Sequence, residues 1–258
     1  MKGLNMYYDT HAHLLDEQFD EDRHSLILSL PGQGIGWYNE CGSDMDTSIR
    51  AVALAKEHAM VYAAVGVHPH SAKEWDAHSA GELKSLAKNS KVVAIGEIGL
   101  DYHYDFSQRN TQKDVFAHQM ELAWGLGLPV IIHSREATED TLAVLRRFPH
   151  VTGVLHSFSG SVETMREALS MGYYISLSGV VTFKNAKKTV EVAAEVPIER
   201  LLIETDSPYM APAPHRGKRN DPSLVKCVAQ KIAEIRGMDT AEIERITTAN
   251  AKRFFGVE

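Results

Sequence analysis

The residues of this sequence that could do chemistry are histidines and carboxylates standing at the ends of apolar runs. The first are His11 and His13, in Tyr7-Tyr8-Asp9-Thr10-His11-Ala12-His13. Residues two apart on a β-strand project to one face, so two imidazoles aim at one point, and a divalent metal is the natural binder of such a pair. Taken alone, a His-x-His near a chain start reads as two surface histidines, so further donors are needed. Glu97, His133, His156 and Asp206 supply them, each closing an apolar run of its own. Six nitrogen and oxygen donors with no thiolate suit two divalent ions that share a carboxylate and keep positions open to water, which is a catalytic arrangement. In this reading Glu97 is the bridge, His11, His13 and Asp206 serve one ion, and His133 and His156 serve the other. Ions about 3.5–4 Å apart turn a water into a nucleophile near neutral pH, and Asp206 can accept its proton. The ordinary alternatives are that His133 or His156 merely ends a strand and that Asp206, before Ser207-Pro208, starts a turn. Glu204 either supports this set from behind or points into the wall of the fold.

Eight apolar runs would have to carry these side chains, over residues 7–13, 35–41, 61–67, 92–98, 130–133, 153–156, 173–177 and 201–206. Between and after them, helices are expected over 16–30, 44–58, around 78–89, 108–124, 135–148, 162–171, around 185–195, 222–236 and 240–255. Ser43, Ser107 and Asp221 are the expected caps, Pro222 suits a first helical position, and Asp239 with Glu242 has capping-box spacing. Nearly continuous apolar strands alternating with helices predict parallel strands buried on both faces. The simplest closure is an α/β fold of the (β/α)8 TIM-barrel class, a single domain over residues 1–258. A doubly wound open sheet shares the local pattern but spreads strand-end residues along a line. A barrel gathers them around the C-terminal ends of its strands, where His11, His13, His68, Glu97, His133, His156 and Asp206 all fall.

The chain has 258 residues, 44% hydrophobic and 24% charged, with a net charge of -7. That balance argues against a protein that coats duplex nucleic acid through a broad basic surface, so any phosphate binding is local. Cys41 and Cys227 have no Cys-x-x-Cys companion, which suggests neither a disulfide framework nor a zinc ribbon and fits a reducing, cytoplasmic setting. The longest uncharged apolar run, 122–132, is broken by glycines and Pro129 and is too short for a bilayer, and the start of the chain shows no signal-like apolar segment. No membrane partner is expected, and a monomer is the expected state.

Within His215-Arg216-Gly217-Lys218-Arg219-Asn220, Arg216 and Lys218 with Asn220 are candidates for a phosphate clamp, the alternative being a solvated basic loop. His68 and His70 are candidates for contacting phosphate or donating a proton, or else for structural hydrogen bonds. Tyr102, Tyr209, Phe158 and Phe183 are candidates for stacking against unpaired bases.

The signatures Asp9-Thr10-His11-Ala12-His13-Leu14, Gly66-Val67-His68-Pro69-His70, Gly96-Glu97-Ile98-Gly99-Leu100-Asp101-Tyr102, Val130 to Ala137, His156-Ser157-Phe158-Ser159-Gly160 and Leu202 to Pro208 follow one another in this order. In them the sequence resembles the TatD family of metal-dependent deoxyribonucleases, within the amidohydrolase-like barrel superfamily, over nearly the whole chain. The resemblance implies a barrel hydrolase whose metal ligands match His11, His13, Glu97, His133, His156 and Asp206. It further implies cleavage of DNA phosphodiester bonds, often from a 3′ end, with single-stranded DNA or 3′ ends as substrate rather than duplex, and two divalent ions of magnesium, manganese or zinc. Asp206 and Glu97 are then the catalytic carboxylates, and His68, His70, Tyr102, Arg216, Lys218 and Asn220 the substrate contacts. Many amide-cleaving relatives bridge their metals with a carboxylated lysine where this chain has Glu97, which weakens a dihydroorotase-like or urease-like reading. Asp221 stands where relatives commonly carry Glu. The competing readings are hydrolysis of another ester or amide, such as an aminoacyl-tRNA deacylase, and a metal-binding protein without catalysis.

Overall fold

A computed structural model describes residues 6–258, so the first five residues of the expected 1–258 domain lie outside it. Eight strands form one sheet in chain order: β1 (Tyr7–Ala12), β2 (Ile35–Cys41), β3 (Val61–Val65), β4 (Val92–Asp101), β5 (Val130–Arg135), β6 (Gly153–Leu155), β7 (Tyr174–Leu177) and β8 (Leu201–Ile203). β1 runs parallel to β2, β3 to β4, β4 to β5, β5 to β6 and β7 to β8. A parallel bridge from Ala12 to Ser207 joins the end of β1 to the segment after β8. With α1 (Arg23–Ser29), α2 (Met45–Glu57), α3 (Ser79–Leu86), α4 (Arg109–Leu126), α5 (Thr138–Arg147), α6 (Val162–Ser170), α7 (Lys187–Glu195), α8 (Val225–Arg236) and α9 (Thr240–Phe255) interleaved or following, the topology is that of the expected (β/α)8 barrel. Every residue of β1 and β4 is buried, as strands covered on both faces require.

By its internal contacts the chain divides into two compact units. One takes the described residues up to Glu40, Ser157–Arg166 and Tyr174–Glu258; the other takes Cys41–His156 and Glu167–Tyr173. In the first, α9 lies against β1, with the Tyr8 ring 5.9 Å from Phe255 and 6.2 Å from Trp37. Asn250 of α9 donates from its amide to the Ile198 and Leu201 carbonyls, which satisfies the start of β8. In the second, two buried glutamines of α4 grip strand tips. Gln112 accepts from Asp101 N at 2.8 Å and donates to Asp101 O, while Gln119 accepts from Val67 N at 2.7 Å and donates to Val67 O.

The local departures from expectation have local causes. Asp44, not Ser43, caps α2, because its carboxylate accepts Thr47 N while Thr47 Oγ1 accepts Asp44 N in a reciprocal pair. Ser107 does not cap α4; its hydroxyl donates to His70 O and accepts from Lys73 N, and Gln108 takes the cap position. Asp221 caps a 3₁₀ turn at Pro222–Leu224, and α8 starts only at Val225. At α9 the cap is Asp239 as expected, accepting from Ala241 N. β4 runs on to Asp101, past the expected end at residue 98, and β8 stops at Ile203, short of residue 206.

Candidate metal centre

In the first unit, His11 near the end of β1 and His13 just past it stand side by side, their rings 4.8 Å apart and their Nε2 atoms 3.0 Å apart. Asp206 Oδ1 lies 3.9 Å from His11 Nε2 and 3.7 Å from His13 Nε2, so three donor atoms converge within 4.8 Å. The main chain makes this meeting. Asp206 N donates to His11 O at 2.9 Å and His13 N to Ser207 O at 2.8 Å. Asp206 adopts φ 58°, a left-handed conformation that aspartate tolerates better than most residues, and there the chain leaves the β8 direction.

Asp9, fully buried beneath the pair, accepts Thr205 N at 2.8 Å and Thr205 Oγ1 at 2.5 Å, which fastens β1 to the segment after β8. Burial pushes its carboxyl well above the usual range, against the hydrogen bonds from Thr205 and His11 N. Glu40, at the end of β2, accepts the N–H groups of Leu14 and Leu15, both at 3.0 Å, and burial pushes its carboxyl up to about 7. Two buried acids thus hold the backbone on either side of His13, Asp9 at His11 N and Glu40 at Leu14 N and Leu15 N. Glu204 is buried and accepts Ser157 N at 2.6 Å, a contact that positions the chain just after His156.

In the second unit, imidazoles surround two carboxylates. His156 Nε2 lies 2.8 Å and His133 Nδ1 2.9 Å from Glu97 Oε1, with His68 Nε2 at 3.5 Å. His133 turns its other nitrogen, Nε2, to Asp101 Oδ2 at 3.1 Å, and His70 Nε2 meets the same oxygen at 3.0 Å. Although burial opposes it, hydrogen bonds from His133, Tyr104 N and His70 hold the Asp101 carboxyl well below the usual carboxylate range. Against its own burial, Asp101 and Glu97 raise the His133 pKa. A carboxylate on the far nitrogen of a metal-binding histidine fixes its orientation and raises its basicity. Gly99 lets this happen. At φ 138° it brings β4 against β5 so closely that a Cβ there would sit 2.0 Å from the His133 carbonyl oxygen.

The structure thus brings the six expected donors together in two groups, His11 with His13 and Asp206, and Glu97 with His133 and His156. Both groups fit a divalent ion by their chemistry, being imidazole and carboxylate donors without a thiolate. Asp101 escaped the sequence reading, although it obeys the same rule of a polar residue closing an apolar run and lies four residues from Glu97, on the same strand face.

Of the expected substrate contacts, His68 and His70 stand beside Glu97 and Asp101. Tyr102 gives its hydroxyl to Asp140 at 2.5 Å and has Arg109 over its ring. Lys218 is exposed, and Arg216, also exposed, lies 3.8 Å over the Phe183 ring. Asn220 is fully buried and donates to the Thr205 and Tyr209 carbonyls, so its amide braces the loop from inside; letters show that capacity but not its direction.

A sequence model of the family described as TatD related DNase matches residues 8–256. The chain belongs to that family. The uncharacterized metal-dependent hydrolase YabD of Bacillus subtilis is 47% identical over 254 residues, 98% of this chain and 100% of that one. The 3′-5′ ssDNA/RNA exonuclease TatD of Cronobacter sakazakii is 36% identical, with 96% of this chain and 97% of that one covered. The crystal structure of YJJV, a TatD homolog from Escherichia coli, superposes with a TM-score of 0.92 at 31% identity over 99% of this chain and 100% of that one. This TatD-family chain is a metal-dependent hydrolase acting on ester bonds. Among its described residues no helix is long and apolar enough to cross a membrane.

Proposed function

We propose that this TatD-family hydrolase cleaves phosphodiester bonds of single-stranded DNA, removing nucleotides from the 3′ end. The observation that carries the reading is the meeting of His133 and His156 on one oxygen of Glu97, at 2.9 and 2.8 Å, in a chain whose relatives include proteins named as 3′-5′ ssDNA/RNA exonucleases. His11, His13 and Asp206 would hold one divalent ion and Glu97, His133 and His156 another. A divalent ion in such a seat supplies Lewis acidity to a phosphoryl oxygen and makes water acidic enough to attack near neutral pH. Asp206, whose Oδ1 stands within 4 Å of both neighbouring histidines, takes the proton released by the attacking water. Asp101 keeps His133 turned toward Glu97, and His68 and His70 contact the phosphate from the same side as Glu97 and Asp101. Arg216 and Lys218, on the loop after β8, counter the charge of the strand.

The test is product analysis on 5′- and 3′-end-labelled single- and double-stranded DNA, with magnesium, manganese and zinc supplied in turn. The expected result is stepwise release of mononucleotides from the 3′ end of the single strand, abolished by chelation. Intact DNA under every metal, beside cleavage of an aminoacyl ester under one of them, overturns the proposal in favour of acyl-ester hydrolysis.

A further inference from the structure

The segment joining β4 to α4 turns two large rings outward, Tyr104 at 47% and Phe106 at 57% exposure. They stack on one another with centroids 5.2 Å apart and 20° between planes. His70 packs edge-on against both, at 5.3 and 4.9 Å, and itself hydrogen-bonds Asp101. From His70 the ring contacts continue to His68 at 4.3 Å and from His68 to His133 at 4.5 Å. An unbroken series of rings thus leads from the solvent-facing pair to the Glu97 group.

The position of the pair is fixed by the site itself. Asp101 Oδ1 accepts the N–H groups of His103 and Tyr104, at 3.0 and 2.9 Å, while its other oxygen holds His70 and His133. The charge around the rings is also uneven. Asp105 neutralises Arg109 and Glu136 pairs with His103, whereas Arg135, 4.8 Å over the Tyr104 ring, has no carboxylate partner among the described residues. Contiguous exposed aromatic surface marks an interaction site rather than a fold requirement. Here it carries an uncompensated cation and adjoins donors suited to a metal-assisted phosphodiesterase, so its occupant should be anionic and bear flat faces.

We propose that Tyr104 and Phe106, with Arg135, form a stacking platform for the unpaired bases of a strand whose phosphodiester lies at the Glu97, His133 and His156 group; the proposal rests on the nuclease reading above. Every base has a π-face, so the platform grips a strand without choosing its sequence, and Arg135 meets the neighbouring phosphate. Paired bases are already stacked on each other, so duplex gains from the platform only at frayed ends.

The test compares two fluorescent ligands of equal length with phosphorothioate linkages that resist cleavage, oligothymidylate and an abasic strand, titrated by anisotropy into the metal-loaded full chain. Wild type should bind oligothymidylate about tenfold or more tightly than the abasic strand, the advantage of one or more stacked bases. Tyr104→Ala with Phe106→Ala should erase that preference at an unchanged melting temperature, and Tyr104→Phe with Phe106→Tyr should keep it. Equal affinity of wild type for both strands, or a preference that survives the double alanine change, overturns the platform and leaves the nuclease reading standing. Failure to bind either strand overturns both. A concentration-dependent dimer that the double change dissociates, with the base preference intact, identifies a self-association face instead and also overturns the platform.

Discussion

The two donor groups are held by different means. In the first unit the main chain does much of the placing: Asp206 N donates to His11 O and His13 N donates to Ser207 O, while Asp206 Oδ1 stands 3.7 and 3.9 Å from the two imidazoles. In the second unit side chains do it, with His133 hydrogen-bonded through both ring nitrogens and Glu97 Oε1 met by two imidazoles. The first placement depends on backbone that the buried Asp9 and Glu40 carboxyls hold, whereas the second depends on carboxylates that touch the imidazoles themselves. The same donor chemistry therefore has different points of weakness in the two units.

Removing a donor from either group should have the largest effect. His133→Ala and Asp206→Asn should each lower kcat by about a thousandfold, the several kcal/mol that a metal supplies to a charged transition state. Each should retain near-native circular dichroism. Wild-type turnover in one variant, with contaminating nucleases excluded, would remove that group from the chemistry. A smaller effect separates the two modes of support. Asp101→Asn should weaken metal binding by about 10- to 100-fold, as loss of a carboxylate behind a metal-binding histidine does. Asp9→Asn should instead cost about 1–3 kcal/mol of stability, because Thr205 N–H and Oγ1 lose one oxygen of a fully buried carboxyl acceptor. Should isothermal titration and thermal denaturation show these two responses exchanged, the contrast between side-chain and main-chain placement is wrong. The smallest effect concerns the basic loop. Arg216→Ala should raise KM for oligonucleotides and reduce the slope of log affinity against log salt by about one. An unchanged slope would leave Arg216 with only its contact to Phe183.

The strands and the six donors were legible because a polar residue that closes a buried apolar run has few structural uses. His133 after Val130-Ile131-Ile132 and His156 after Val154-Leu155 are of this kind. Asp101 was missed because its strand was expected to stop at Ile98, and only the close approach that Gly99 permits carries β4 onward. Strand β8 is shorter than its letters suggest for the opposite reason. Its letters stay β-prone through Thr205, while Thr205 N donates to the buried side chain of Asp9 rather than to a neighbouring strand's carbonyl. Asn220 shows the remaining limit: hydrogen-bonding capacity can be read from letters, but the direction in which it points is decided by packing.

Gln112 and Gln119 stand seven positions apart on α4, about two turns, and each presents an amide to a strand tip as a neighbouring strand would present its peptide group. The tips so gripped lead directly into His68 and end at Asp101. One rod thus acts as a bracket for two tips at once: a slight roll or slide of α4, caused by a change on its outer surface far from any donor, would shift both together and keep their spacing while altering their aim.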